Sequence, residues 1–400
     1  MDGRARGNRI ADRLARNRRK AALESGARAP RTAIGSRSVF LLLAACAAIC
    51  AAHAANTHAA ISYEWHLPPG FPQPAVPADN PMSRQKVALG RRLFFETRLS
   101  STGQYSCASC HRPELAFTDG RSHALGATGE SVRRSAMSLT NVAYNPAFTW
   151  GSTEVRSLEV QMRQPLFSGH PVEMGLTGDG VRSLQALSLD KTYRAQFAAA
   201  FPSGTSALTM DHLIKAIAAF ERTLISGRSP FDRYIFDDDQ AAMSDSAKRG
   251  MDLFYSTRVG CAQCHSGLNF SGPLVYAGHR QAAALFANTG LYDLDGYGRY
   301  PPSDRGLIEV TGRPADMGKF RVPTLRNVAL TAPYMHDGSL SSLDEVLDHY
   351  VRGGHGNPRQ DSRVRAFVLS AQERTDLLAF LASLSDRQFV ENPEFSAPSQ

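Results

Sequence analysis

Two pentapeptides constrain this 400-residue chain more than any other feature: Cys107-Ala108-Ser109-Cys110-His111 and Cys261-Ala262-Gln263-Cys264-His265. A Cys-x-x-Cys-His run at the start of a helix sets two thiols and an imidazole along one edge. The thiols can then bond the vinyl groups of a porphyrin while the imidazole reaches its iron. The motifs therefore predict two covalently bound haem c groups, attached through Cys107, Cys110, Cys261 and Cys264, with His111 and His265 as proximal iron ligands. The alternatives are a zinc site built from the four cysteines and a thioredoxin-like redox pair. Zinc cysteines normally sit within one small module, and a redox pair does not require His directly after its second Cys. The remaining cysteines, Cys46 and Cys50, fall in the leader, so an exported chain would have no disulfide framework.

Both motifs occupy equivalent points of an internal duplication. Gly90-Arg91-Arg92-Leu93-Phe94-Phe95 is echoed by Gly250-Met251-Asp252-Leu253-Phe254-Tyr255, and each copy leads into a pentapeptide. Downstream, Asn141-Val142-Ala143 matches Asn327-Val328-Ala329, and Ser157-Leu158-Glu159 answers Ser342-Leu343-Asp344.

The formal charge of +8 suggests anionic partners until its distribution is read. Residues 1–37 hold eleven Arg and Lys against three acids, and the rest of the chain has 34 of each sign. No basic stripe remains for nucleic acid. The Arg-rich start, the apolar run from Val39 to Ala52 and the small residues after it have the layout of a signal peptide, with cleavage near Ala54 and export to the periplasm. The run is shorter than the about 20 apolar residues a membrane span needs. A lipoprotein signal acylated at Cys46 is the alternative.

The fold expected is mainly α: two tandem cytochrome c-like domains, each with one haem. The leader covers 1–54 and a Pro-rich arm 55–82. The first domain takes 83–235, the second 236–390, and a polar tail follows at 391–400. Helical periodicity is clear at Lys86 to Phe95, Met210 to Ile225 and Ala371 to Leu384. The Asp-, Ser- and Gly-rich stretch Ser226 to Ser246 reads as the boundary.

The duplication also hints at two unlike irons. In the second half Met335 lies in a Pro/Gly-bounded turn, where its thioether could take the iron's sixth position, with Met317 and Tyr334 as competitors and core packing as the bland reading. The matching residue of the first half is Phe148, which cannot bind iron. The first iron would then be open to peroxide, whose cleavage needs one acid/base group nearby. Trp150, one of only two tryptophans, is the candidate ring between the haems, with a plain core role as its alternative.

The stretches Cys107 to Gly120, Trp150 to Met174 and Phe320 to Gly338 resemble the bacterial di-haem cytochrome c peroxidase and MauG family over nearly the whole chain after residue 80. Within it the chain is most similar to the MbnH-type branch, the MauG-like enzymes associated with methanobactin gene clusters. The resemblance implies a peroxide-reactive haem in the first domain and an electron-transfer haem in the second. It places the family's distal Gln, Pro and Glu on Gln161, Pro165 and Glu173, and its inter-haem Trp on Trp150. Two departures stand out. Ala127 occupies the loop position where typical peroxidases carry a His that caps the iron until the second haem is reduced. Ser135 matches the Asn side chain that helps to bind calcium between the domains, so calcium is implied without that ligand.

Three functions follow. The first is a MauG-like peroxidase that oxidises both haems with hydrogen peroxide and then a Trp of a small periplasmic partner protein. The second is a conventional peroxidase drawing electrons from a small cytochrome c. The third is a di-haem electron carrier without chemistry of its own.

Overall fold

The computed structural model describes residues 63–202 and 208–398. The expected leader at 1–54 and the acylation alternative at Cys46 lie outside these residues. Among the described residues the chain is mainly helical, as expected. Its sheet is only β1 (Phe286–Ala287) paired antiparallel with β2 (Phe320–Arg321). No described helix is long and apolar enough to cross a membrane.

Each half of the duplication builds its own apolar core around one helix pair. In the first, α1 (Arg84–Phe94) packs on α5 (Met210–Glu221). The helices α2 (Leu158–Phe167), α3 (Val181–Ser188) and α4 (Lys191–Ala200) lie between these two in sequence. Helix α1 starts at Ser83, whose hydroxyl accepts the Lys86 N–H, and it buries Leu89, Gly90, Leu93 and Phe94 on one stripe. Helix α5 buries Leu213, Ile214, Ile217 and Phe220. It ends short of the expected Ile225, because the Thr223 N–H turns back to the Phe220 carbonyl at 2.8 Å and tightens the last turn.

In the second core, α7 (Asp245–Phe254) packs on α9 (Ala371–Ser383), joined by α6 (Pro230–Phe236) through Phe231 and by α8 (Leu343–Arg352) through Leu347. The repeated glycine explains why both pairs come so close. A Cβ on Gly90 would lie 1.9 Å from the Ala216 carbonyl oxygen, and one on Gly250 would lie 1.8 Å from the Asp376 carbonyl oxygen. Only a residue without a side chain permits either crossing.

The polar stretch read as a boundary is folded into the body. Ser226, Ser229 and Asp232 are buried, and Asp232 meets the Arg326 guanidinium at 2.9 Å. The Asp386 carboxylate accepts from the Ser226 hydroxyl and from the N–H groups of Gly227 and Arg228. These residues look like linker composition because polarity is visible in sequence, whereas their partners are distant in the chain. The polar tail also differs from expectation: Phe395 is buried in the first core beside Phe389, which itself meets Phe117 at 5.6 Å. The described part of the arm packs down through Phe71, over which Arg326 sits at 4.9 Å.

The duplicated asparagines seam the halves. Asn141 and Asn327 both adopt left-handed backbone, with φ of 56° and 61°. Each donates its N–H to the carbonyl after the closing helix of its half, Leu224 and Leu384, and each side-chain oxygen accepts an N–H, from Ser226 and Asp386 at 2.7 Å.

Candidate functional site

Each pentapeptide opens a short helical turn, Cys107–Cys110 and Cys261–Gln263, and the His N–H donates back to the first Cys carbonyl at 2.9 Å in both. The histidine rings are held alike. His111 Nδ1 lies 2.8 Å from the Phe117 carbonyl oxygen, and His265 Nδ1 lies 2.9 Å from that of Phe270. Phe117 and Phe270 are buried with positive φ, which turns their carbonyls onto the imidazoles. With Nδ1 engaged, Nε2 of each ring is left for a ligand. Desolvation holds both imidazoles below their usual pKa, so they stay neutral donors at pH 7.

The two motifs face two cavities. The first is lined by Cys107, Cys110 and His111 together with Gln161, Pro165, Glu173, Phe148, Trp150 and Glu221. The second is lined by Cys261, Cys264 and His265 with Tyr334, Met335, His336, Tyr350 and Trp150. All predicted site residues thus fall on one cavity or the other, and Trp150 lines both. Its indole N–H donates to the Ser135 carbonyl at 2.9 Å, and its own carbonyl accepts the Arg321 N–H at 2.8 Å.

Glu173 is positioned by its backbone. Its carbonyl accepts the Ala127 N–H at 2.6 Å, and the next residue, Met174, donates to the Pro165 carbonyl at 2.9 Å. Helix α2 supplies Gln161 and Pro165 one turn apart, on the stripe that also buries Met162 and Leu166. Desolvation raises the Glu173 pKa and pushes that of Glu221, a buried carboxyl facing the same cavity, up to about 8. Ala127 is buried in its loop, and His123 is turned to the Val132 carbonyl at 3.0 Å. His170, near Glu173 in sequence, has 95% of its side chain exposed and points away to Glu130.

Three cavity residues escaped the sequence reading: Tyr350, Glu221 and Arg321. Tyr350 had a signal, since Leu343, Val346, Leu347 and Tyr350 follow the i, i+3, i+4, i+7 spacing of α8 and all line the second cavity. Met317 does not line it, and its carbonyl accepts from the Asn288 side chain at 3.0 Å. Met335 does, in left-handed backbone with φ of 72°, and packs against the cluster of Leu291, Tyr300 and Phe320.

The cavities fit a largely apolar group with a few polar contacts. Burial raises the pKa of all four motif thiols. Among the described residues no cluster of three or more His, Cys, Asp or Glu could hold a bare metal ion. Glu221 Oε2, Asn145 Oδ1, Thr149 Oγ1 and Arg321 Nε face the cavities with no protein partner.

A family model described as di-haem cytochrome c peroxidase matches residues 84–240. The cytochrome-c peroxidase IdrP1 of Denitromonas iodatirespirans is 38% identical over 372 residues, spanning 87% of this chain and 93% of the relative. This chain belongs to the di-haem cytochrome c peroxidase and MauG family. It is a haem-dependent oxidoreductase. The methylamine utilization protein MauG of Methylorubrum extorquens is 36% identical over 82% of this chain and 84% of its own length. Among solved structures, a MauG-like protein associated with microbial copper homeostasis superposes with a TM-score of 0.82 at 42% identity, covering 84% of this chain and 99% of that one.

Proposed function

We propose that this chain is a periplasmic di-haem c-type peroxidase of the MauG kind, which spends hydrogen peroxide on oxidising a Trp of a small partner protein. The carrying observation is the unequal chemistry of the two cavities. Glu173 and Glu221 line the first, whereas no carboxylate lines the second, whose wall carries a second imidazole, His336, besides His265 and the Tyr350 phenol of α8.

In this reading Cys107 and Cys110 with His111, and Cys261 and Cys264 with His265, hold one haem c each through thioether bonds and a proximal imidazole. Haem iron supplies the redox chemistry, the two-electron reduction of peroxide. The protein's own contribution in the first cavity is proton handling. Glu173, with its raised pKa, takes the proton from one peroxide oxygen and delivers it to the other, so that water and not hydroxide departs. The Gln161 amide holds the peroxide, and Pro165, lacking an N–H inside α2, shapes the wall beside it. In the second cavity Tyr350, on the inner stripe of α8 with no hydrogen-bond partner of its own, would be the second protein donor to the haem besides His265. Met335 is the alternative donor. Trp150, shared by both walls, shortens the path for electrons between the cavities.

The export layout of the leader supports the periplasm, where haem attachment takes place. The 42% identity to a MauG-like protein associated with copper homeostasis supports the MauG-like reading. The likeness to IdrP1 favours the second reading, a peroxidase fed by a small cytochrome c. Calcium rests on the family resemblance alone, and the carbonyl of Ser135 is already engaged by Trp150.

Mixing hydrogen peroxide with the fully oxidised holoprotein separates the two enzymes. The proposal expects an immediate change in the haem spectrum, since Ala127 replaces the capping His. A reaction that begins only after one-electron reduction would establish the conventional peroxidase.

A further inference from the structure

Three arginines are buried among the described residues, and two have carboxylate partners. Arg222 meets Glu159 at 2.7 Å, and Arg326 meets Asp232 at 2.9 Å. Arg321 is the exception. It is 5% exposed, its Nε has no partner, and its Nη2 finds only the Met137 thioether sulfur at 3.5 Å. Burial lowers its pKa to about 10, with no neighbouring charge contributing, so the guanidinium remains cationic at neutral pH. A buried charge without a counter-ion costs several kcal/mol, and chains rarely keep one unless something outside the protein completes it.

The position of Arg321 says what completes it. The residue lines both cavities, next to Trp150, on the rigid β1–β2 pair. Its fork of N–H donors matches a carboxylate. The groups expected in the cavities are apolar apart from their propionate side chains, and no Asp or Glu lines the second cavity. We propose that Arg321 is a shared propionate-binding residue, pairing with a propionate carboxylate of the haem in each cavity. This rests on the reading that both cavities hold haem. One cation between two anionic groups would position both haems against Trp150 and tie their electrostatics together. Arg321 is thus a positioning residue, acting on the irons through the carboxylates it holds.

The test uses holoprotein with Arg321→Gln and Arg321→Lys, read by resonance Raman bands of propionate bending and by the two midpoint potentials. Removing a buried positive charge favours the oxidised irons, so Arg321→Gln should lower both potentials and shift the propionate bands. Arg321→Lys, which keeps a point charge without the fork, should restore the potentials while leaving the bands shifted. Unmoved bands and potentials in Arg321→Gln, or movement at one haem alone, would overturn the proposal. Should Arg321→Gln not fold, unshifted bands in Arg321→Lys would do the same. Haem staining of denatured wild-type chain separates this failure from the deeper one: fewer than two attached haems would sink the underlying reading as well.

Discussion

The two halves of this molecule share a scaffold and differ in what lines it. Both hold their His ring by a carbonyl from a left-handed Phe, both close their core at a glycine, and both seam with a left-handed Asn. Yet the first cavity is lined by two carboxylates, Glu173 and Glu221, and the second by none, carrying instead an imidazole, His336, besides its motif histidine. Duplication explains the shared part. The difference lies in side chains on the cavity walls. In the proposed function one copy handles protons while the other supplies ligands.

The sharpest way to break this comparison is to remove the donor that makes the second cavity distinct. Tyr350→Phe should convert the second haem's ligand-field spectrum, with Met335→Leu leaving it unchanged; the opposite outcome, in absorption and EPR spectra of the oxidised protein, would hand the position to Met335. In the first cavity, Glu173→Gln should slow the peroxide step by about 10²–10⁴-fold with both haems still attached, measured by stopped-flow. Because the carboxylate form must accept the proton and desolvation raises its pKa, the wild-type rate should fall as the solution becomes more acidic than that pKa. The mutant should lack this limb.

The shared scaffold can be tested symmetrically. Gly90→Ala and Gly250→Ala each place a methyl group against a backbone carbonyl that cannot yield, so each should cost about 1–3 kcal/mol or more in thermal or urea melts. A marked inequality would show that one helix pair has room to slide. A pH-dependent effect concerns Glu221. Its folded pKa of about 8 lies above the ordinary value of 4.5, so the folded state holds a proton that the unfolded chain releases. Stability should therefore decline as pH rises from about 4.5 to about 8, by at most about 1.4 kcal/mol per unit of the shift. Glu221→Gln should flatten that decline in melts across the same window.

Much of this was legible in the chain itself. The pentapeptides, the paired glycines and the paired asparagines could be aligned by eye, because a duplicated scaffold needs the same residues at the same turns. Glu173 and Gln161 were reached through resemblance and Trp150 through the duplication, and the fold sets them on the cavities. Other readings met their limit where polarity was taken for a boundary. Ser226, Asp232 and Asp386 are polar and buried, since each is satisfied by a partner far along the chain. The tail looked solvated, yet Phe395 reaches the first core.

By itself the sequence determined which local structures form and where a haem can be attached, since a Cys-x-x-Cys-His turn is decided by covalent and steric rules acting over a few residues. Only the tertiary structure decided which side chains converge on those turns. Glu221 on α5, Tyr350 on α8 and Arg321 on β2 come from three distant segments, and folding alone brings them to cavity walls. Their unpaired charge or unshared phenol becomes meaningful there because burial removes the water that would otherwise satisfy them.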